Sequence, residues 1–205
     1  MFGPEILIIL VGWALGGGSP GPATLAISST AMQLGRRDGL MLAAGIVVGS
    51  ASWGIAAALG MSAAMAANVW VLEIVRYLGA AYLLYLAIKS LRRAWQGSPP
   101  PALKSAPRGK LFLKGLLLHL TNPKAILGWG AIYAIALPLD APMAQVWVLF
   151  AMLICVSQLV FFGYAVLFSI PHISAAYRAA GRWFDTAFGL LFGAASLKIL
   201  TTRLV

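Results

Sequence analysis

The chain has 205 residues, of which 61% are hydrophobic and only 10% are charged, and its mean hydropathy is +0.89. This composition excludes an ordinary soluble domain and indicates an integral membrane protein. The net charge of +10 would suggest a nucleic-acid partner for a soluble protein. Here the basic residues crowd loops that flank apolar segments, where anionic lipid head groups attract them. We therefore predict a lipid bilayer as the surroundings and no nucleic-acid partner.

Six membrane-spanning helices are predicted, near residues 4–32, 39–66, 69–91, 111–137, 143–169 and 181–201. Crossing the hydrocarbon core takes about 20 predominantly apolar residues, and several uncharged stretches exceed that length. We expect the first segment to be a retained span, because Met-Phe-Gly-Pro-Glu lacks the cationic leader of a cleaved signal peptide. In the third, Glu73 and Arg76 lie three residues apart and predict a local ion pair. The predicted fold class is all-α integral membrane.

Two short proline motifs interrupt apolar segments: Ser-Pro-Gly-Pro at 19–22 in the first span and Asn-Pro-Lys at 122–124 in the fourth. A proline inside a helix removes one hydrogen-bond donor and blocks the bond four residues back. Unwound backbone at membrane depth survives only where protein buries it or a watery cavity faces it. One break alone is as readily an ordinary kink. Two at corresponding positions indicate a shared internal site, as in transporters.

Residues 96–110 form the only extended polar stretch and combine prolines, small residues and positive charge, which is typical of a linker. This linker divides a single transmembrane domain, residues 1–205, into repeat one at 1–95 and repeat two at 111–205. Each repeat holds three predicted spans, an odd number, so the second must enter the membrane in the opposite sense. The sequence therefore predicts two inverted three-helix repeats, with spans one and four broken by the proline motifs.

The Lys and Arg residues are unevenly distributed along the chain. If the amino terminus is outside, the loops after spans one, three and five are cytoplasmic and hold eleven of the 15: Arg36, Arg37, Lys89, Arg92, Arg93, Lys104, Arg108, Lys110, Lys114, Arg178 and Arg182. The positive-inside rule then predicts that both termini lie outside. The expected location of this multi-pass protein is the inner (cytoplasmic) membrane.

Further motifs accompany the proline breaks in a set order. They are Ser19-Pro20-Gly21-Pro22 with Thr24 and Leu25, Gly35-Arg36-Arg37 with Gly39, Gly45 and Gly49, residues 76–86, Asn122-Pro123-Lys124-Ala125, and Arg182-Trp183-Phe184-Asp185 with Gly189 and Gly193. On these residues the chain resembles the LysE/RhtB family of amino-acid exporters. The resemblance implies an amino acid as the small-molecule substrate and secondary export driven by a proton gradient. Two places depart from it: Ala23, where many relatives carry a polar residue, and Gly128-Trp129-Gly130, where phenylalanines are more usual.

Both breaks suit the binding of a carboxylate. Pro22 fits the first position of a new half-helix, and Asn122 is a good cap for another that begins at Pro123. The free amide groups and positive dipole end of each half-helix attract anions. Lys124 adds a full positive charge, although long cationic side chains near helix ends also commonly snorkel to the interface. The predicted substrate-binding residues are Ser19, Pro20, Gly21, Pro22, Thr24, Asn122, Pro123 and Lys124.

The acidic residues all fall near predicted span ends or in loops: Glu5, Asp38, Glu73, Asp140 and Asp185. A cationic substrate side chain would lack a buried counter-charge, so a neutral or weakly polar amino acid is favoured over a cationic one. Because no acidic residue is predicted at mid-span, the residue that carries the proton is not identified either. His119 in the fourth span is a candidate for a proton or cavity role, and Gln158 in the fifth for a cavity role. Hydrogen bonding between helices is the commoner use of such residues.

Other function classes have less support. The sequence lacks the residue sets for metal or nucleophilic catalysis, so no enzyme, cofactor or metal site is predicted. The alternatives kept are a metal or inorganic-ion transporter of the wider LysE superfamily and a nontransporting membrane scaffold. Three glycine pairs, Gly12 and Gly16, Gly45 and Gly49, and Gly189 and Gly193, predict close helix packing within one bundle, and the same faces would suit a homodimer.

Overall fold

The computed structural model describes residues 3–67, 69–96, 110–138 and 141–201. In this part of the chain every regular element is an α-helix, as predicted. The eight helices are α1 (Glu5–Gly18), α2 (Pro22–Leu34), α3 (Arg36–Ala67), α4 (Val69–Gln96), α5 (Leu111–Leu120), α6 (Pro123–Ala136), α7 (Met143–Leu167) and α8 (Pro171–Thr201). Linker residues 97–109 and the side chains of the expected Glu73–Arg76 pair lie outside what the structure describes.

The first apolar segment is broken into α1 and α2, which are bent by 60° relative to each other. Ser19 has φ −65° and ψ 150°, and Gly21 has φ −163° and ψ 179°. Each of these residues precedes a proline, whose ring disfavours the helical conformation in the residue before it. Pro22 begins α2, where its missing N–H costs no helical bond. The break therefore follows from local steric constraints.

The fourth apolar segment is broken into α5 and α6 by the same local chemistry. Asn122 precedes Pro123 and is extended, with φ −85° and ψ 109°. Its side-chain oxygen accepts the Lys124 N–H at 3.1 Å, so the predicted cap is confirmed. On the other side of the break, the Leu120 carbonyl at the end of α5 accepts a hydrogen bond from Trp53 Nε1 at 3.1 Å. The cap and a neighbouring helix thus satisfy backbone groups that the break would leave without partners.

The helix bounds agree in part with the six predicted spans. Among the described residues, α7 and the Arg36–Gly60 part of α3 are each long and apolar enough to cross a membrane alone, and the bent α1–α2 pair is a third candidate crossing. The α8 helix begins at Pro171 rather than near 181. Residues 172–180 include four alanines and no proline or glycine, so nothing local ends a helix before that point. The six-span count stays a prediction.

The α3 helix lies at the centre and packs on α2, α5, α6 and α7. Glycines bring it very close to α5. A Cβ atom added at Gly49 would lie 2.9 Å from the Cβ of His119, and one added at Gly45 would lie 2.8 Å from the Leu116 nitrogen. Such distances are far below ordinary van der Waals contact, so the predicted close packing by Gly45 and Gly49 is confirmed, within one bundle.

Two clusters of buried side chains anchor the broken helices. The first joins α2 to α3 and includes the fully buried Ile27, Leu42 and Ile46. The second joins α6 to α7 and includes the fully buried Trp129 and Tyr133. Both α2 and α6 are therefore held by packing beyond the breaks at which they begin.

The α8 helix packs mainly on α4. A Cβ added at Gly189 would lie 2.6 Å from the Cγ of Leu91, so this glycine also serves helix packing. Arg93 Nη2 pairs with Asp185 Oδ1 at 2.8 Å, and both side chains are largely buried. Asp185 was expected near the beginning of the last span. Because α8 begins at Pro171, it lies well inside that helix instead.

Candidate functional site

The two helix breaks meet through one side chain. Lys124, in the first turn of α6, donates from Nζ to the carbonyl oxygen of Ser19 at 3.2 Å and also to the Ser19 hydroxyl. Ser19 is completely buried. A Cβ added at Gly21 would lie 3.5 Å from the same ammonium nitrogen. A cation from the second break is therefore bonded to the backbone of the first, 105 residues away in the chain.

Three side-chain hydroxyl groups form hydrogen bonds with the unwound backbone at the first break. Ser19 Oγ donates to the Gly16 carbonyl at 2.8 Å. Thr24 Oγ1 donates to the Ser19 carbonyl at 3.0 Å and accepts the Gly21 N–H at 3.0 Å. Tyr164 on α7 donates its phenol hydrogen to the Gly18 carbonyl. The predicted hydroxyls thus serve first to satisfy unwound backbone, which apolar surroundings make costly to leave unpaired.

A cavity of about 320 Å³ opens beside Lys124. Small-molecule sites usually span roughly 300–1,000 Å³, so this one is at the small end of that range. Its wall is mostly apolar, with contributions from α1, α6 and α8 among others. The polar side chains on the wall are Thr24, Ser50, His119, Asn122, Lys124 and Ser157. On the α8 side, the ring centroid of Phe192 lies 5.7 Å from Lys124 Nζ, within the range of a cation–π interaction.

Two tryptophans form a rigid corner of the cavity. Trp13 Nε1 donates to the Leu153 carbonyl at 3.0 Å and to Ser157 Oγ at 2.9 Å. The Trp13 ring meets the Trp129 ring edge to face, with centroids 4.7 Å apart. Trp129 Nε1 in turn donates to Ser50 Oγ at 3.1 Å. Sequence reasoning missed Trp13. Its position inside an apolar segment, six residues before Ser19, was the available signal, because tryptophans that only anchor a protein lie at span ends.

The structure brings most of the predicted site residues together. Gly21, Thr24, Asn122, Lys124 and His119 line the cavity, and Ser19 bonds to Lys124. The three prolines at positions 20, 22 and 123 form the breaks and are not part of the cavity wall.

The two residues predicted for a proton or cavity role differ in their positions. His119 is 4% exposed, its Nδ1 has no hydrogen-bond partner in the part of the chain that the structure describes, and its ring meets that of Phe161 edge to face, with centroids 5.6 Å apart. Gln158 is exposed on the outside of α7 and is not a cavity residue. Its neighbour Ser157 faces inward instead.

The family match and the similar proteins both indicate the same family of membrane transporters. The family model for the LysE type translocator matches residues 16–203. The threonine efflux proteins of Escherichia coli K12 and Salmonella typhi are each 30% identical to this chain over 189 residues, which is 90% of this chain and 92% of theirs. An uncharacterised membrane protein of Pseudomonas aeruginosa is 38% identical over 113 residues, which is 53% of this chain and 52% of its own. No solved structure matches. Because the family match covers most of the chain and includes both helix breaks, this chain belongs to the LysE type translocators, which are membrane transporters and not enzymes.

Proposed function

We propose that this protein is a secondary active exporter of amino acids across the cytoplasmic membrane, with a preference for neutral over cationic substrates. Membership of the LysE type translocators and similarity over 90% of the chain to threonine efflux proteins support the general activity. The observation that carries the proposal is the position of Lys124, a cation beside a small, mostly apolar cavity at the meeting point of two helix breaks.

In this proposal Lys124 binds the substrate carboxylate. Its ammonium group lies beside Gly21, directly before the amino terminus of α2, and Lys124 itself is in the first turn of α6. Both helix ends present positive dipole ends and amide donors, so three sources of positive potential converge there. The arriving carboxylate replaces Ser19 as a partner of Nζ. Ser19 loses little, since its hydroxyl keeps the Gly16 carbonyl as an acceptor.

Lys124 also accounts for the preference for neutral side chains. Among the described residues that line the cavity, Lys124 is the one Lys, Arg, Asp or Glu. A second cation within the same small, poorly solvated volume would be repelled by it. A hydroxyl or small apolar side chain, in contrast, suits a wall of glycines, aromatic rings and serine or threonine hydroxyls.

The proposed architecture is six spans in two inverted repeats, with both termini outside. The helix packing supports it: α3 packs on its counterpart α7 and α4 on its counterpart α8, while α1 packs on α7 as α5 packs on α3. Alternating access would then be a rocking of one repeat against the other around the two breaks. Proton coupling, with His119 as the candidate carrier, and a homodimer are parts of the same proposal.

Efflux from proteoliposomes tests the proposal. Vesicles are loaded with labelled threonine, alanine, leucine, lysine or glutamate, and a proton gradient is imposed and then collapsed with a protonophore. We expect threonine and other neutral amino acids to leave faster than lysine, and the gradient to accelerate them. Lys124→Gln should lower neutral flux about 10–100-fold, the equivalent of one charge-assisted hydrogen bond of about 1.5–3 kcal/mol, and Lys124→Arg should recover part of it.

Lys110→Gln is the matched control, because Lys110 is exposed just before α5 and does not line the cavity. Equal effects of Lys124→Gln and Lys110→Gln would contradict a carboxylate site at Lys124. If no amino acid moves while the purified protein remains folded, inorganic ions become the next candidates. A folded protein that carries neither would be a membrane scaffold.

A further inference from the structure

One glycine pair does not pack helices together. Gly12 and Gly16 of α1 have the same spacing as Gly45 and Gly49, yet no heavy atom of the described residues lies within 4 Å of a Cβ added at either. Both glycines line the cavity instead. Gly16 is partly buried, so the space in front of it is open to the cavity, and Gly12 lies at the exposed edge of the same face.

Gly16 is also close to the proposed carboxylate partner. Ser19 Oγ donates to the Gly16 carbonyl at 2.8 Å and accepts a hydrogen bond from Lys124 Nζ, so a single hydroxyl group connects Gly16 to the ammonium group. Gly12 lies four residues, about 6 Å, nearer the beginning of α1. If an amino acid is bound to Lys124 by its carboxylate, its side chain would extend along this glycine face of α1.

The neighbouring aromatic wall has little freedom to adjust. Trp13 is fixed by two hydrogen bonds to α7, and Trp129 is fully buried and bonded to Ser50. Because these two rings cannot move aside, the space beside them is free only because residue 16 is a glycine. A separate observation concerns His119, which is only 4% exposed and lines the same cavity. Its Nδ1 has no hydrogen-bond partner among the described residues, and such a group in a native protein calls for an explanation, which a polar ligand would supply.

We propose that Gly16, extended by Gly12, admits the side chain of the transported amino acid and sets its upper size limit. This inference rests on the proposed amino-acid export and assigns its substrate class: amino acids with small or β-branched uncharged side chains. In a cavity of about 320 Å³, the isopropyl group of Gly16→Val would fill the space directly in front of residue 16 and leave the rest of the cavity open.

The test compares kcat/KM for alanine and threonine in proteoliposomes with the native protein, Gly16→Ala and Gly16→Val. We expect Gly16→Val to lower the threonine-to-alanine ratio of kcat/KM at least tenfold, since one methylene in a tight pocket is worth about 10–200-fold. Gly16→Ala should shift the ratio in the same direction by less. Gly163→Ala on α7 is the control, because an added Cβ there also meets no heavy atom but does not line the cavity.

An unchanged ratio, or an equal loss of both substrates, would overturn the size limit while leaving amino-acid export intact. A native protein that moves no amino acid would overturn both. Size-exclusion chromatography checks that each variant is folded. Should Gly16→Val fail to fold, Gly16→Ala decides the question, because its single added methyl group enters open space.

Discussion

The close approach of α3 and α5 makes Gly45→Ala a sharp test of the fold. An added Cβ would collide with the Phe112 carbonyl oxygen and lie 2.8 Å from the Leu116 nitrogen. Both atoms belong to the backbone of α5, so no side chain can turn aside. Overpacking of a tight contact costs about 1–3 kcal/mol, and a backbone collision belongs at the upper end of that range. Replacing glycine by alanine inside a helix recovers about 1 kcal/mol.

The expected net loss is therefore about 2 kcal/mol. For a chain of this length that corresponds to a fall in Tm of about 4–8 °C. Purified protein in detergent can be followed by circular dichroism at 222 nm or by a thermal-shift assay. Because α5 leads directly into Asn122 and Lys124, we also expect amino-acid flux to fall at temperatures where the variant is still folded. A shift of about 1 Å in a binding group can cost 10²-fold.

Gly163→Ala is again the matched control, since it offers the same gain in helix propensity with no heavy atom within 4 Å of the new methyl group. Its Tm should stay the same or rise slightly. If Gly45→Ala were as stable as Gly163→Ala, the close α3–α5 contact would be refuted. If it lost stability with flux intact, the coupling of α5 to the breaks would be refuted instead.

Two further predictions concern polar contacts. Asn122→Ala removes the cap on α6 and should destabilise the protein by about 1 kcal/mol. Asn122→Asp, whose carboxylate can also cap the helix, should retain most of the native stability. Equal Tm values for Asn122→Ala and the native protein would exclude a capping role. Asp185→Asn breaks the partly buried pair with Arg93 and should cost about 1.5–3 kcal/mol. In a double-mutant cycle with Arg93→Gln, additive losses of Tm would show that the two side chains do not interact.

The sequence was sufficient for the features that depend on adjacent residues. Steric clash with proline places both breaks, and a side chain two residues from its partner makes the Asn122 cap. The membrane class follows from composition alone. The sixth predicted span begins near residue 181, whereas α8 begins at Pro171, because residues 172–180 contain no proline or glycine that would keep them out of the helix.

The site required more than local information. The Lys124–Ser19 contact joins residues 105 positions apart, and the two hydrogen bonds of Trp13 reach residues 140 and 144 positions away. Proline motifs at matching positions suggested that the breaks share a site and that Ser19 and Lys124 belong to it, but the direct bond between these two residues depends on how the helices pack.

The glycine pairs show most clearly where local information ends. Gly45 with Gly49 and Gly12 with Gly16 have identical spacing, so each sequence pattern specifies the same thing: a strip of helix surface without side chains. Whether such a strip receives another helix or remains open depends on what the rest of the chain places opposite. Tertiary structure brings α5 against Gly45 and Gly49 and leaves the space before Gly12 and Gly16 to the cavity, because contacts between distant segments are decided by packing of the whole bundle.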